Sequence, residues 1–151
     1  MIKEMMVNKK ILVDDALECL LMPSDPAHDS LYASMQYSLM AGGKRIRPCL
    51  FLVLLYILGV DSNLYINVAC ALECVHTYSL IHDDLPGMDN DDYRRGKLAN
   101  HKRYGVGIAT MAGDGLLTYA FELLACENNI SFFKRIALIK ILTAAAGPAG
   151  M

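Results

Sequence analysis

Apolar residues recur along this chain with the period of a helix rather than the alternation of a strand. From about Val7 to Met22 they share one face of an amphipathic helix, which Pro23 and the polar stretch PSDPAHDS bring to an end. Ser30 is placed to cap a second helix, running through LYASMQYSLMA to Gly42-Gly43. A third should begin near Pro48, a residue suited to a first helical turn, and end near Gly59. After a short DSN turn, a long helix is expected from about Leu64 to Leu85. Its apolar positions Ile66, Ala69, Cys70, Leu72, Cys74, Leu80 and Ile81 leave little exposed face, which predicts a central place. Two more helices should cover about Ile108 to Cys126 and about Ser131 to Ala146. With no alternating run of useful length and no repeat, the fold class is all-α. Five or six helices, one of them apolar nearly all round, need more covering surface than 151 residues supply. The final ILTAAAGPAGM also stops without an amphipathic finish, so residues 1–151 read as part of a helical bundle, truncated.

Composition narrows the picture in three ways. A net charge of −2 provides no global attraction to nucleic acid or to an anionic membrane, so any electrostatic function must be local. The run CLFLVLLYILGV, Cys49 to Val60, is too short to span a bilayer and reads as a buried helix, so no stable membrane anchor is expected. Five scattered cysteines without a CxxC pair favour reduced thiols and a cytoplasmic protein over a disulfide frame. Cys70 and Cys74, one turn apart on an apolar segment, suit the core better than a metal.

The chemistry concentrates in HDDLPGMDNDDYRRGK, His82 to Lys97, which places five aspartates within ten positions and then turns basic. Such crowding favours protonation of some carboxyls unless a cation sits among them. The stretch alone fits either a metal site for a polyanion or a solvated charged loop. Magnesium suits the first reading, because it binds a few carboxylates, keeps waters, and takes other ligands from substrate phosphates. His76 and Asp83, seven residues apart, lie on nearly one helix face with Ser79 between them. Asp89 is about 120° away from Asp83 on a regular helix. Pro86-Gly87 is placed to break that helix and swing Asp89 back. A calcium loop is excluded, since counting from Asp89 there is no glycine at the sixth position and no glutamate at the twelfth.

A second constellation is AGGKRIRP, Ala41 to Pro48. Its two glycines allow backbone amides close to an anion, and Lys44 and Arg47 share a side if the segment is helical. The spacing is not that of a P-loop. By itself it is also consistent with a solvated helix end.

Together these segments resemble the trans-prenyl diphosphate synthases, in particular the bacterial farnesyl diphosphate (geranyltranstransferase) type. The likeness runs from about Leu31 to Met151 and rests on GGKRIRP, ECVHTYSLIHDDLPGMDNDDYRRGK and MAGDGLLTYAFELL. The resemblance implies an isoprenoid-synthase-type helical bundle and a transferase of isoprenoid biosynthesis. It implies Mg2+ held by Asp83 and Asp89, with Asp84 in support, and Arg94 on the allylic diphosphate. Lys44, Arg47, His76 and Arg95 would hold isopentenyl diphosphate. Tyr78 and Ser79, the fifth and fourth positions before Asp83, would set product length, and their sizes match the farnesyl pattern. His82 and His101 have no such match and are expected to be structural.

The resemblance also implies head-to-tail condensation of isopentenyl diphosphate with dimethylallyl or geranyl diphosphate, without a protein nucleophile. The family carries a second aspartate-rich motif on a later helix, and nothing after Asn100 offers it; Asp114 matches only an early position of the GDGLL segment. The chain is therefore expected to be an N-terminal half, inactive alone. A homodimer is expected for the intact family, or a complementing C-terminal half for this one. An alternative is a non-catalytic partner subunit, which would not need the aspartates that are all retained here. A nucleic-acid or membrane module is disfavoured by net charge and by the short apolar run.

Overall fold

Each long apolar period becomes a helix in the computed structural model, which describes residues 2–23 and 25–150. The long helices are α1 (Ile2–Leu20), α2 (Asp29–Leu39), α3 (Ile46–Ile57) and α4 (Ile66–Asp83). A short α5 (Asn100–Tyr104) then leads into α6 (Val106–Ala125) and α7 (Phe132–Ala146). The first helix starts well before Val7, because Lys3, Glu4, Lys9 and Lys10 are straight-chain residues that a helix accommodates readily. Ser30 does not cap α2. The chain instead enters through a 3-10 turn, Pro26–His28, where the Asp25 carboxylate accepts from the Ala27 amide at 2.8 Å. Pro26 there occupies a first position at which no amide is needed.

The expectation of no strand needs a small correction. β1 (Tyr93–Arg94) and β2 (Lys97–Leu98) form an antiparallel ribbon, with Tyr93 opposite Leu98 and Arg94 opposite Lys97. The two-residue loop between them places Arg95 at φ 53° and Gly96 at φ 76°. Left-handed backbone at both positions is the requirement of the hairpin turn whose twist matches its strands. The remaining regular elements of the described chain are helices, so the fold remains all-α in class.

α4 is the central helix, flanked by α1, α2, α3 and α6, with its most extensive contact against α6. That contact relies on small residues: Ala109, Ala112, Gly113 and Ala120 are buried along α6. A Cβ on Gly113 would fall 2.2 Å from His82 Nε2, so glycine there makes room for the imidazole. Val13 and Leu17 of α1, Met35 and Leu39 of α2 and Leu52 of α3 complete the core. The stretch Ser62–Asp83 is long and apolar enough to cross a membrane by length and composition, but it is this central helix and it carries the buried Glu73. On the outside, Ile46, Leu50, Leu54 and Ile57 leave an exposed apolar stripe along α3, and Phe133 of α7 is 83% exposed.

Candidate functional site

The C-terminus of α4 opens into a closed turn rather than a continued helix. Leu85, the residue before Pro86, accepts through its carbonyl from the amides of Met88 and Asn90 at 2.9 and 3.1 Å. Asn90 lies in the left-handed region at φ 54°, which asparagine tolerates better than most residues. The chain thereby returns, and the Asp89 amide donates to the Asp83 carbonyl at 2.8 Å. The proline break thus brings Asp89 back to the end of the helix that carries Asp83. Asp83 is half-buried and Asp89 exposed. Among the described residues, neither carboxylate has a hydrogen bond or ion pair.

Asp84 is different. It is 2% exposed and its carboxylate holds Arg94, with Nε at 3.0 Å from Oδ1 and 3.1 Å from Oδ2 and with Nη2 also on Oδ1. This contact raises the already high guanidinium pKa of Arg94. Asp84 is therefore engaged with Arg94 rather than free to supply a ligand. Arg94 has Asp91 as a more distant partner at 3.7 Å, and its Nη1 carries no hydrogen bond among the described residues.

The donor set can be tested against magnesium. No three His, Cys, Asp or Glu side chains among the described residues converge into a ready-made metal centre. Two unpartnered carboxylates on adjoining backbone fit an ion that takes its other ligands from water and phosphate. They do not fit a closed, all-protein cage.

The second constellation forms a cleft of about 480 Å³ lined by Gly43, Lys44, Arg45, Arg47, Glu73, His76 and Arg95, among others. All four residues assigned to one diphosphate from the sequence thus line a single opening. Lys44 and Arg47 do not share a helix face: Lys44 precedes α3, and only Arg47 lies in its first turn. The Gly42-Gly43 turn sets their placement, with φ 88° and 124°. Arg95 donates through Nη1 to the Gly42 carbonyl. A Cβ on Gly43 would meet that Nη1 at 2.5 Å, so the guanidinium lies where a side chain would otherwise be. Burial, and after it Arg47, hold the His76 imidazole below its ordinary pKa; Glu73 opposes them, and Arg95 and Arg45 add to the lowering. Uncharged at neutral pH, His76 offers one donor and one acceptor.

Ser79 lies on the same helix, but its hydroxyl donates to the His76 carbonyl at 2.9 Å. Tyr78 is buried and meets the His82 ring edge-on, with centroids 5.2 Å apart. His82 donates through Nε2 to the Thr110 carbonyl at 3.0 Å, tying α4 to α6. His101 is buried, and neither ring nitrogen is hydrogen-bonded among the described residues.

Sequence reasoning passed over Arg45 and Glu73. Arg45 is 3% exposed and stands at φ 49° before α3. Its guanidinium donates to Asp14 Oδ1 at 2.8 Å, Glu73 Oε1 at 2.7 Å and the Leu39 carbonyl at 2.7 Å. One side chain thus joins α1, the end of α2 and α4. The available signal was Glu73 itself, a lone carboxylate in an apolar helical segment, which needs a partner when buried.

The ribbon connects the two regions. From adjacent positions, Arg94 reaches Asp84 in the acidic turn and Arg95 reaches Gly42 beside the cleft. The Tyr37 hydroxyl donates to the Leu98 carbonyl at 2.9 Å and fastens the ribbon to α2.

Comparison with known proteins bears on the family and the fold. Residues 28–147 match the family model described as polyprenyl synthetase. A farnesyl diphosphate synthase of Geobacillus stearothermophilus is 57% identical over 123 residues, covering 80% of this chain and 41% of the relative. One from Micrococcus luteus is 46% identical over 151 residues, covering 100% of this chain and 52% of the relative. The crystal structure of an FPP/GFPP synthase from Zymomonas mobilis, in its apo form, superposes with a TM-score of 0.93 at 40% identity. That match covers 99% of this chain and 54% of the other. The chain spans about half the length of the relatives it matches. By its motifs, its fold and these matches, the chain belongs to the polyprenyl synthetase family.

Proposed function

We propose that the chain supplies the diphosphate-binding wall of a cytoplasmic prenyltransferase. This enzyme would join isopentenyl diphosphate to an allylic diphosphate, dimethylallyl or geranyl, to give farnesyl diphosphate. The observation that most supports this reading is the ribbon that reaches an acidic turn through Arg94 and a cationic cleft through Arg95. Two diphosphates held on either side of one hairpin are what such a condensation needs.

Asp83 and Asp89 would hold Mg2+, which neutralises charge on the departing diphosphate when bound. Arg94, fixed by Asp84, directs its open Nη1 at the allylic diphosphate. Lys44, Arg47, His76 and Arg95 hold isopentenyl diphosphate by its diphosphate end. The allylic carbon–oxygen bond then breaks, and its electron pair leaves with the diphosphate. The double bond of isopentenyl diphosphate attacks the allylic cation, and the proton released passes to the departed diphosphate. The residues position and stabilise without forming a covalent intermediate. Tyr78, beside the smaller Ser79, limits the product to fifteen carbons, as the resemblance implies. Tyr78→Ala in an active protein should lengthen the products, and an unchanged spectrum would remove Tyr78 from this role.

The 151-residue chain is inactive by itself in this reading. It requires a complementing C-terminal half, and as an intact synthase it would form a homodimer. The test is a chimera with residues 28–147 replacing the matching segment of the Micrococcus luteus relative. The chimera should make farnesyl diphosphate with Mg2+, while the unfused chain should not. A folded chimera without product, or an active unfused chain, would contradict the proposal.

A further inference from the structure

A cleft that gathers Lys44, Arg47 and Arg95 for an anion also has a carboxylate in its lining, and that group needs a reason. Glu73 is 2% exposed and precedes His76 by three residues on α4, so the two side chains lie on neighbouring positions of one face. Its Oε1 accepts from Arg45 Nη1 at 2.7 Å. Arg45 is bound to Asp14 as well, and Asp14 in turn is hydrogen-bonded by Lys10. Lys10, Asp14, Arg45 and Glu73 together have no net formal charge. Among the four, Arg45 and Glu73 border the cleft.

We propose that the Glu73 carboxylate limits how tightly the cleft holds a diphosphate. The proposal rests on the cleft being a diphosphate site. Glu73 cancels the Arg45 charge inside a partly enclosed site, where water screens poorly. Hydrogen bonding alone would not need a carboxylate, because a glutamine carbonyl can accept from Arg45 at the same place. The charge is the distinguishing property. Without it, Lys10, Asp14 and Arg45 keep one net positive charge, which would add to those of Lys44, Arg47 and Arg95. Binding a substrate more tightly in its ground state does not raise turnover, and a cleft of uncompensated cations would release its ligand slowly. The opposing influence of Glu73 at His76 shows that its field reaches the side chains of the cleft.

The test is calorimetric titration of the full chain with inorganic pyrophosphate in the absence of divalent metal. Glu73→Gln and Glu73→Asp would be studied beside the parent, with circular dichroism confirming that each is folded. The neutral variant should bind pyrophosphate roughly three- to tenfold more tightly, with slower dissociation. The aspartate variant, which keeps the charge, should stay near the parent. If the parent binds but Glu73→Gln binds equally or more weakly, Glu73 serves only to support Arg45, and the cleft assignment stands without it. If the parent does not bind pyrophosphate, the diphosphate reading of the cleft fails and this role fails with it.

Discussion

The acidic turn and the cationic cleft handle charge in opposite ways. Among the described residues, the turn leaves the Asp83 and Asp89 carboxylates without protein partners, while Asp84 is paired with Arg94 and Asp92 with Lys102. The cleft carries its own counter-charge, because Arg45 is buried between Glu73 and Asp14. One region leaves carboxylate charge open, while the other balances its charge within the fold. The difference teaches that the two should respond differently to mutation: the turn through chemistry, the cleft through stability as well.

The largest effect should come from the cleft's foundation. Arg45→Ala would leave the Glu73 carboxylate buried without its partner. Removing one member of a buried pair costs about 3–5 kcal/mol. Urea unfolding followed by circular dichroism should show that loss. Asp83→Asn should change stability by less than about 0.5 kcal/mol, as for a surface substitution away from packing. Equal losses in the two variants would erase the distinction between the regions.

The same Asp83→Asn substitution should reverse the ranking once turnover is measured. In the chimera with the Micrococcus luteus relative, product formation should fall roughly 10²- to 10³-fold, the scale for losing one electrostatic contributor at a departing group. Added magnesium should restore little of it. Full activity in Asp83→Asn would show that the unpartnered carboxylates are only solvated charge.

Gly43→Ala probes the join between the regions. The new Cβ would occupy the position of the Arg95 guanidinium, at a backbone φ of 124° that a side chain rarely adopts. Losing one charge-assisted contact should weaken pyrophosphate binding by the full chain roughly ten- to hundredfold. Gly42 also has a positive φ but open space around its missing Cβ. Gly42→Ala should therefore carry the backbone strain alone and spare more of the binding, and equal losses would show that strain, not Arg95, is responsible.

These contrasts follow the line between what could and could not be read from the residues. Helices α1 to α4, α6 and α7 were legible because each repeats its apolar positions over several turns. The return of Asp89 was legible too, since Pro86 restricts the residue before it and leaves few ways onward. The ribbon was not. Its turn is Arg95-Gly96 rather than Asn-Gly or Asp-Gly, and two-residue strands have no room for alternation. The short α5 was missed for the same reason of length. The Arg45–Glu73 pair joins positions 28 residues apart, and no local pattern says which cation a lone buried carboxylate will meet. Lys44 and Arg47 do line one cleft, but through a glycine turn and not through the shared helix face that the spacing suggests.

The smallest effect is also the most direct measure of how the cleft treats charge. In the folded chain the His76 pKa is lowered, chiefly by burial and then by Arg47. The unfolded chain, with its histidine near 6.5, therefore binds more protons as the pH falls through that value. His76's contribution to stability is present above about pH 6.5 and is lost as the pH drops toward the lower folded value. His76→Gln should flatten that part of the stability profile. A pyrophosphate in the cleft reverses the sign, because an anion beside the imidazole favours its charged form. The His76 resonance, identified by its absence in His76→Gln, should titrate below the ordinary range in the free chain and move upward with pyrophosphate. The acidic turn should instead respond to magnesium and not to the anion alone. A His76 resonance indifferent to pyrophosphate would place the anion elsewhere, and the contrast between a self-balanced cleft and an open acidic turn would lose its functional meaning.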